Sequence, residues 1–168
     1  RWQHATGSEL ANAQLFVTEL ARLLDLPQPD PAREDTRENK YVFERRVRFR
    51  HGDGSESEGR IDCYRRGAFV LEAKRLRQNA AKGFDDAMLR ARAQAEAYAR
   101  ALPAEEGRPP FLLVVDVGHA IEFYAEGGDL LRRLLVPVSP DGGLSFLGVH
   151  FADGERVEPR EHGDAPER

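Results

Sequence analysis

Apolar residues recur every three or four positions near the start of the chain: Leu10, Ala13, Phe16, Val17, Leu20, Leu23 and Leu24. That spacing predicts an amphipathic helix over SELANAQLFVTELARLL (8–24), with Thr6 or Ser8 as its N-cap. Asp25-Leu26-Pro27 ends the periodicity, and the polar, Pro-rich stretch 25–39 reads as a connecting loop. The segment YVFERRVRFR (41–50) is rich in β-branched and aromatic residues and predicts a strand, although Val42 and Phe43 break strict alternation. His51-Gly52-Asp53-Gly54-Ser55 supplies a turn whose Asp-Gly pair favours a hairpin. A return strand over about 57–65, a second turn at Arg65-Arg66-Gly67 and a third strand over Ala68–Lys74 complete an antiparallel meander.

Residues 75–83 are basic and polar. From Phe84 to Leu102 the stripe Phe84, Met88, Ala91, Ala95, Tyr98, Ala99 and Leu102 predicts a second helix, ended by Pro103. A loop follows over 105–110. Phe111–Val117 is a continuous apolar run, as expected of a central strand buried on both faces. Gly118-His119 turns the chain into a further strand over Ala120–Tyr124. The order αβββαββ implies an α/β fold with a mixed sheet flanked by helices. Residues 1–125 therefore form the expected domain. Residues 126–168 read as a diverged connector or C-terminal extension, with a hinge at Gly127-Gly128, two candidate strands near 134–138 and 144–151, and a polar tail from 152. No internal repeat or low-complexity tract is present.

Composition narrows the classes. A chain of 168 residues suits one domain with a hydrophobic core of its own. Its longest apolar run, Phe111–Val115, falls far short of the roughly 18 residues of a membrane span. The single cysteine, Cys63, excludes an internal disulfide and fits a reducing, cytoplasmic setting. Arg1-Trp2-Gln3-His4 leads straight into helical sequence, so no signal peptide is expected, and the absent initiator Met suggests a fragment, a trimmed chain or a domain cut from something longer. The net charge is −4. A protein that binds nucleic acid through bulk charge is basic, so DNA binding here requires a local patch or help from another domain.

The chemistry is concentrated in GRIDCYRRGAFVLEAKRLRQ (59–78). Asp62 lies near the end of the second strand, and Glu72 and Lys74 lie two apart on the third, hence on one face of the sheet. Antiparallel pairing across Arg66-Gly67 brings Asp62 towards Glu72. Charged side chains inside apolar strands are rarely buried unless paired or bound to metal. Metal-dependent phosphodiester cleavage needs such a set: two carboxylates for a hard cation, and a lysine near the attacking water. Charges two apart on a strand are usually a solvated face, but Val70 shares this face and Leu71 flanks the Glu. His51, His119 and His150 lack ligand spacing, so no zinc site is expected. Cys63 points to the opposite face and reads as packing rather than as a nucleophile.

Ile61-Asp62 followed by Leu71-Glu72-Ala73-Lys74, in this element order, resembles the PD-(D/E)xK nuclease superfamily; Ile61 stands where that pattern usually has Pro. Gln94-Ala95-Glu96-Ala97-Tyr98 is similar to the Gln-x-x-x-Tyr element of one branch. Together with the N-terminal helix carrying Glu9, these features resemble the N-terminal nuclease domain of MmeI-like fused restriction–modification enzymes, over about residues 8–125. The resemblance implies a restriction-endonuclease-like core, with Asp62 and Glu72 as ligands of Mg²⁺ (or Mn²⁺) and Lys74 as the residue that orients water. Glu9, Gln94 and Tyr98 are candidate supporting residues; for Glu9 an acid favoured by the helix dipole is an equal reading. Arg75, Arg77 and Lys82 are candidate phosphate contacts or a solvated loop.

The implied function is DNA endonuclease activity within a restriction–modification or phage-defence system. Its methyltransferase and target-recognition domain would be fused or associated, and a transient dimer on DNA would allow both strands to be cut. The rival classes are a catalytically silent nucleic-acid-binding or assembly module that keeps the fold, and a nuclease acting on another nucleic acid.

Overall fold

Two helices and a six-stranded sheet make up the fold in the computed structural model, which describes residues 9–74, 81–125, 129–135, 149–150 and 156–157. The elements are α1 (Glu9–Leu23), β1 (Tyr41–Arg50), β2 (Glu56–Arg65), β3 (Phe69–Lys74), α2 (Ala81–Ala101), β4 (Phe111–Asp116), β5 (Ala120–Ala125) and β6 (Leu130–Leu135). The short strands β7 (Val149–His150) and β8 (Arg156–Val157) form a separate pair. The main sheet runs in chain order, β1 to β6. Only β3 and β4 are parallel among its neighbours, because α2 carries the chain back between them. None of the helices among the described residues is long and apolar enough to cross a membrane.

The fold is α/β with a mixed sheet, as the hydrophobic pattern implies. Two boundaries move. The second helix begins at Ala81, three residues before Phe84, which shortens the expected basic loop. The strand expected near 134–138 instead occupies Leu130–Leu135 and extends the main sheet beyond β5. The N-cap candidates Thr6 and Ser8, the Gly127-Gly128 hinge and residues 136–148 lie outside the described residues.

Each face of the sheet buries one helix. On one face α1 packs Ala13, Phe16 and Val17 against Cys63, Leu71, Ala73 and Val115. On the other, α2 packs Met88, Ala91, Ala95, Tyr98 and Ala99 against Val70, Leu112, Val114 and Tyr124. The alanines bring α2 close to the strands. Tyr98 reaches the hairpin, where its ring lies 5.7 Å from that of Phe49. Gly59 makes this approach possible: a Cβ there would sit 2.6 Å from the Tyr98 ring and 2.7 Å from the Phe49 ring.

The broken alternation in β1 has a structural cause. Ile61 and Tyr64 belong to the α2-side core, while Cys63 belongs to the α1 side. Residues three apart in a regular strand face opposite ways. The reversal occurs at Asp62, which lies across from Glu44 between the pairs Phe43↔Cys63 and Arg45↔Ile61. Glu44 takes φ 55, a left-handed conformation uncommon for a residue other than Gly. The strand pair turns over at this point, and β2 pairs with β3 only from Cys63 onward.

Beyond the turn, Arg45 is buried. Its guanidinium pairs with Glu106, in the loop between α2 and β4, and donates to the Arg46 carbonyl at 2.6 Å. Glu106 also accepts from the Tyr64 hydroxyl at 2.7 Å and lies 3.4 Å from the Arg66 guanidinium. Burial, then the bond to Glu106, pushes the Tyr64 phenol up to about 12. Removing one partner of a buried pair leaves the other charge stranded. Glu106→Ala should therefore destabilise the domain by about 3 kcal/mol, read as a lower urea midpoint, with Arg45→Met/Glu106→Gln recovering part of the loss.

Cys63 is fully buried, and burial pushes its thiol well above its ordinary value of about 9. Tyr41 is raised from 10 to about 12, also by burial. These acids are held neutral in the folded chain. Their contribution is complete below the ordinary values and is lost as the unfolded chain ionises at higher pH. Stability should thus fall between about pH 9 and 12, measured as the urea midpoint, and Cys63→Ala should remove the part that sets in nearest pH 9. In the native protein at pH 8, Cys63 should not react with a thiol reagent until the chain unfolds.

Candidate active site

Strand β3 carries the site. Its alternation sends Val70, Glu72 and Lys74 to the α2 face, and Leu71 and Ala73 to the α1 face. Glu72 is 1% exposed, and its Oε1 accepts from Lys74 Nζ at 2.7 Å. Burial of this carboxylate requires a positive partner, and Lys74 supplies one. Lys74 itself is only part-buried, so the pair links the interior to solvent.

Asp62 completes the group. Because β2 leaves β3 at Cys63↔Leu71, the next outward amide of β3 has no strand opposite it. Asp62 fills that place: its Oδ2 accepts from Ala73 N at 2.8 Å. The carboxylate thus anchors on the backbone between Glu72 and Lys74. An N–H and a C=O of one residue leave a strand from the same edge, so the Ala73 carbonyl also faces the gap beside Asp62. The opposite edge belongs to β4, where the Lys74 carbonyl accepts from Val117 N at 3.0 Å. Two carboxylates and one carbonyl, all hard oxygen donors, belong to neighbouring positions where β2 and β3 part.

This donor set fits a hard divalent cation that keeps part of its water shell. Among the described residues no three His, Cys, Asp or Glu side chains gather into a group able to hold a metal ion. The two-carboxylate arrangement would need the backbone oxygen and water to complete a cation's shell. His51 is engaged with Ser57 Oγ at 2.9 Å and His119 lies beside Asp116, so the histidines stay apart from one another.

The remaining candidates fall in several places. Glu9 opens α1, with its side chain outside the described residues. Arg75 and Arg77 lie outside them entirely, as does the side chain of Lys82 in the first turn of α2. Gln94 donates to the Tyr98 hydroxyl at 2.9 Å, one helical turn on. The Tyr98 ring packs on Phe49 and Gly59, so this pair braces α2 against the β1–β2 hairpin.

Two buried acids, Asp116 and Glu122, and the part-buried Glu106 escape a reading of the sequence alone. Asp116 ends the apolar run of β4, in register beside Lys74, and is 2% exposed, with His119 Nδ1 3.5 Å from its Oδ2. Glu122 lies two strands from Glu72 in the register row Glu72–Val114–Glu122–Arg133. It accepts from Arg133 Nε at 2.6 Å and from the Tyr124 hydroxyl, whose own ionisation is pushed up by burial and then by that bond. Arg92 of α2 lies 4.9 Å over the Tyr124 ring and bonds Glu96. Glu106 is the third. The one available signal was a carboxylate within FLLVVDV or AIEFYA, where an isolated charge has no ready explanation on a buried strand.

Asp62 lies on β2 and Glu72 and Lys74 on β3, where the two strands part. A sequence model of the family described as MmeI, N-terminal domain, matches residues 1–157. The chain belongs to this family. The match runs past residue 125 and takes in β6, β7 and β8. No curated protein and no solved structure matches the chain.

Proposed function

We propose that this domain is a Mg²⁺-dependent DNA endonuclease with a PD-(D/E)xK core, acting as the cleavage part of a cytoplasmic restriction–modification system. The observation that carries the reading is the bond from Ala73 N to Asp62. It sets a second carboxylate against the strand that bears Glu72 and Lys74. Membership of the MmeI N-terminal domain family supports the restriction–modification setting.

Asp62, Glu72 and the Ala73 carbonyl are the residues that would hold Mg²⁺ or Mn²⁺. A bound ion supplies charge stabilisation at a scissile phosphate and makes water a better nucleophile. The chain provides the rest. Glu72, buried under α2, is paired with the Lys74 ammonium. Lys74 extends from that pair to the part-exposed mouth, where its ammonium can orient a water or offset developing negative charge. Asp62 is held in one orientation by the Ala73 amide, so it need not reorganise during reaction. The methyltransferase and the target-recognition domain would be fused or associated, and two copies would meet transiently on DNA for double-strand cleavage. Glu9, Gln94 and Tyr98 would support the site, and Arg75, Arg77 and Lys82 would meet phosphates near it.

Asp62→Ala, Glu72→Ala and Lys74→Ala should each abolish Mg²⁺-dependent cleavage of plasmid DNA while far-UV circular dichroism stays unchanged. A Glu72→Ala protein with full activity would remove the carboxylate from the mechanism. A wild type that is itself inactive with Mg²⁺ would favour the silent module.

Calorimetric titration should show Mg²⁺ and Mn²⁺ binding and no tight zinc binding. Asp62→Asn should weaken Mg²⁺ binding at least about tenfold, because one of only two anionic ligands is lost. Ca²⁺ should bind with little or no turnover. Unchanged Mg²⁺ affinity in Asp62→Asn would place the ion elsewhere.

A further inference from the structure

The α2 face of the sheet holds a second acid beside the candidate lysine. Parallel pairing of β3 with β4 sets Asp116 in register with Lys74, on the face they share with Glu72 and Val114. Neighbouring strands lie about 4.8 Å apart, so Asp116 stands nearer to Lys74 across the sheet than Glu72 does along the strand, at roughly 6.6 Å. Asp116 is 2% exposed. A carboxylate is buried only beside donors or cations. His119 Nδ1 lies 3.5 Å from its Oδ2, and the chain turns tightly here, with His119 N donating to the Asp116 carbonyl at 2.9 Å. Val117 N donates to the Lys74 carbonyl at 3.0 Å and ties this end of β4 to β3. The backbones of Lys74 and Asp116 are thus fixed side by side, and only the side chains are left to move.

The Lys74 ammonium bonds Glu72 Oε1 at 2.7 Å. The same carboxylate is one of the two that would hold a divalent cation. With a cation there, Lys74 is attracted less by Glu72 and is repelled by the ion. An ammonium displaced within a part-buried site needs another acceptor. From the register of Lys74 with the buried Asp116 we infer that Asp116 is a positioning residue: it receives the Lys74 ammonium when a divalent cation takes Glu72, and keeps it at the mouth of the site. The inference rests on the nuclease reading for the identity of the cation site. Lysine has a flexible four-carbon stem, so this handover needs a change of rotamer and no movement of the strands. Asp62 and Glu72 then offset the cation, and Asp116 offsets Lys74.

Asp116 also stands first in a tight turn, where Asp, Asn and Ser are all favoured. Asp116→Asn therefore keeps the turn and removes the charge, and Asp116→Ser is a second such variant. The chain has three lysines, Lys40, Lys74 and Lys82, so carbon-13 labelling at lysine Cε gives one NMR signal for each, and Lys74→Arg assigns the one that matters. Mg²⁺ added to the metal-free protein should shift the Lys74 signal. In Asp116→Asn, Mg²⁺ should instead move it to the position of an exposed, mobile lysine. Calorimetric Mg²⁺ affinity should stay within about twofold, because Asp116 is not a ligand. Plasmid cleavage at saturating Mg²⁺ should fall about tenfold or more with KM for DNA unchanged, and Asp116→Glu should recover part of it. An identical Mg²⁺-induced shift in the parent and in Asp116→Asn, or no Mg²⁺ response in the parent, would overturn the inference. So would a large loss of Mg²⁺ affinity in Asp116→Asn, which would make Asp116 a ligand. Full cleavage by Asp116→Asn would overturn it too and leave the nuclease reading intact. An inactive wild type whose Lys74 signal responds to Mg²⁺ through Asp116 would sink the nuclease reading and leave this one standing.

Discussion

The hydrogen bond from the Ala73 amide to Asp62 lies where the sheet changes character. On one side of it, β2 is an interior strand, paired with β1 and β3 and covered by helices on both faces. On the other, β1 and β2 run on as a two-stranded arm. An amide exposed by such a parting would lack a partner, and a buried N–H left unsatisfied is costly. Asp62 fills the position of the missing strand. The same bond thus closes the sheet and holds a carboxylate beside Glu72 and Lys74.

Packing elsewhere serves this junction. The reversal of the strand pair at Glu44 and Asp62 moves Ile61 to the α2 side, against Val47 and Ala95 in one core. Tyr98, seated on Gly59, fixes the arm to α2, and Arg45–Glu106–Tyr64 fixes it to the loop before β4. The parallel pairing of β3 with β4 then brings Asp116 alongside Lys74. Acid and base are concentrated on the α2 face of the central strands: Glu72, Lys74, Asp116, Glu122 and, at its margin, Arg92 and Arg133. The α1 face is packed with apolar side chains and the inert Cys63.

Much of this was legible in the chain. The 3.6-residue stripe of α2, the Asp-Gly turn of the hairpin and the uninterrupted run of β4 each record a local preference or a burial pattern, and each element appears within a few residues of its expected place. The start of α2 was read late because Ala81 and Lys82 carry no apolar periodicity, although both residues favour helix. β6 was misplaced because its Leu-Leu-Arg-Arg-Leu-Leu sequence follows neither a two-residue nor a helical period; its pairing with β5 decides its extent.

The sequence by itself determined the elements, their order and the shared face of Glu72 and Lys74, because these depend on neighbours two to four residues apart. It also brought Asp62 within one antiparallel turn of Glu72. Only the tertiary structure decided that Asp62 binds the Ala73 backbone, since that depends on where β2 stops pairing with β3. It alone turned Gln94 and Tyr98 towards the hairpin, buried Arg45 against a glutamate 61 residues away, and set Asp116 beside Lys74. These are contacts between residues far apart in the chain, and a strand's period of two says which face a side chain takes but not which strand will lie beside it.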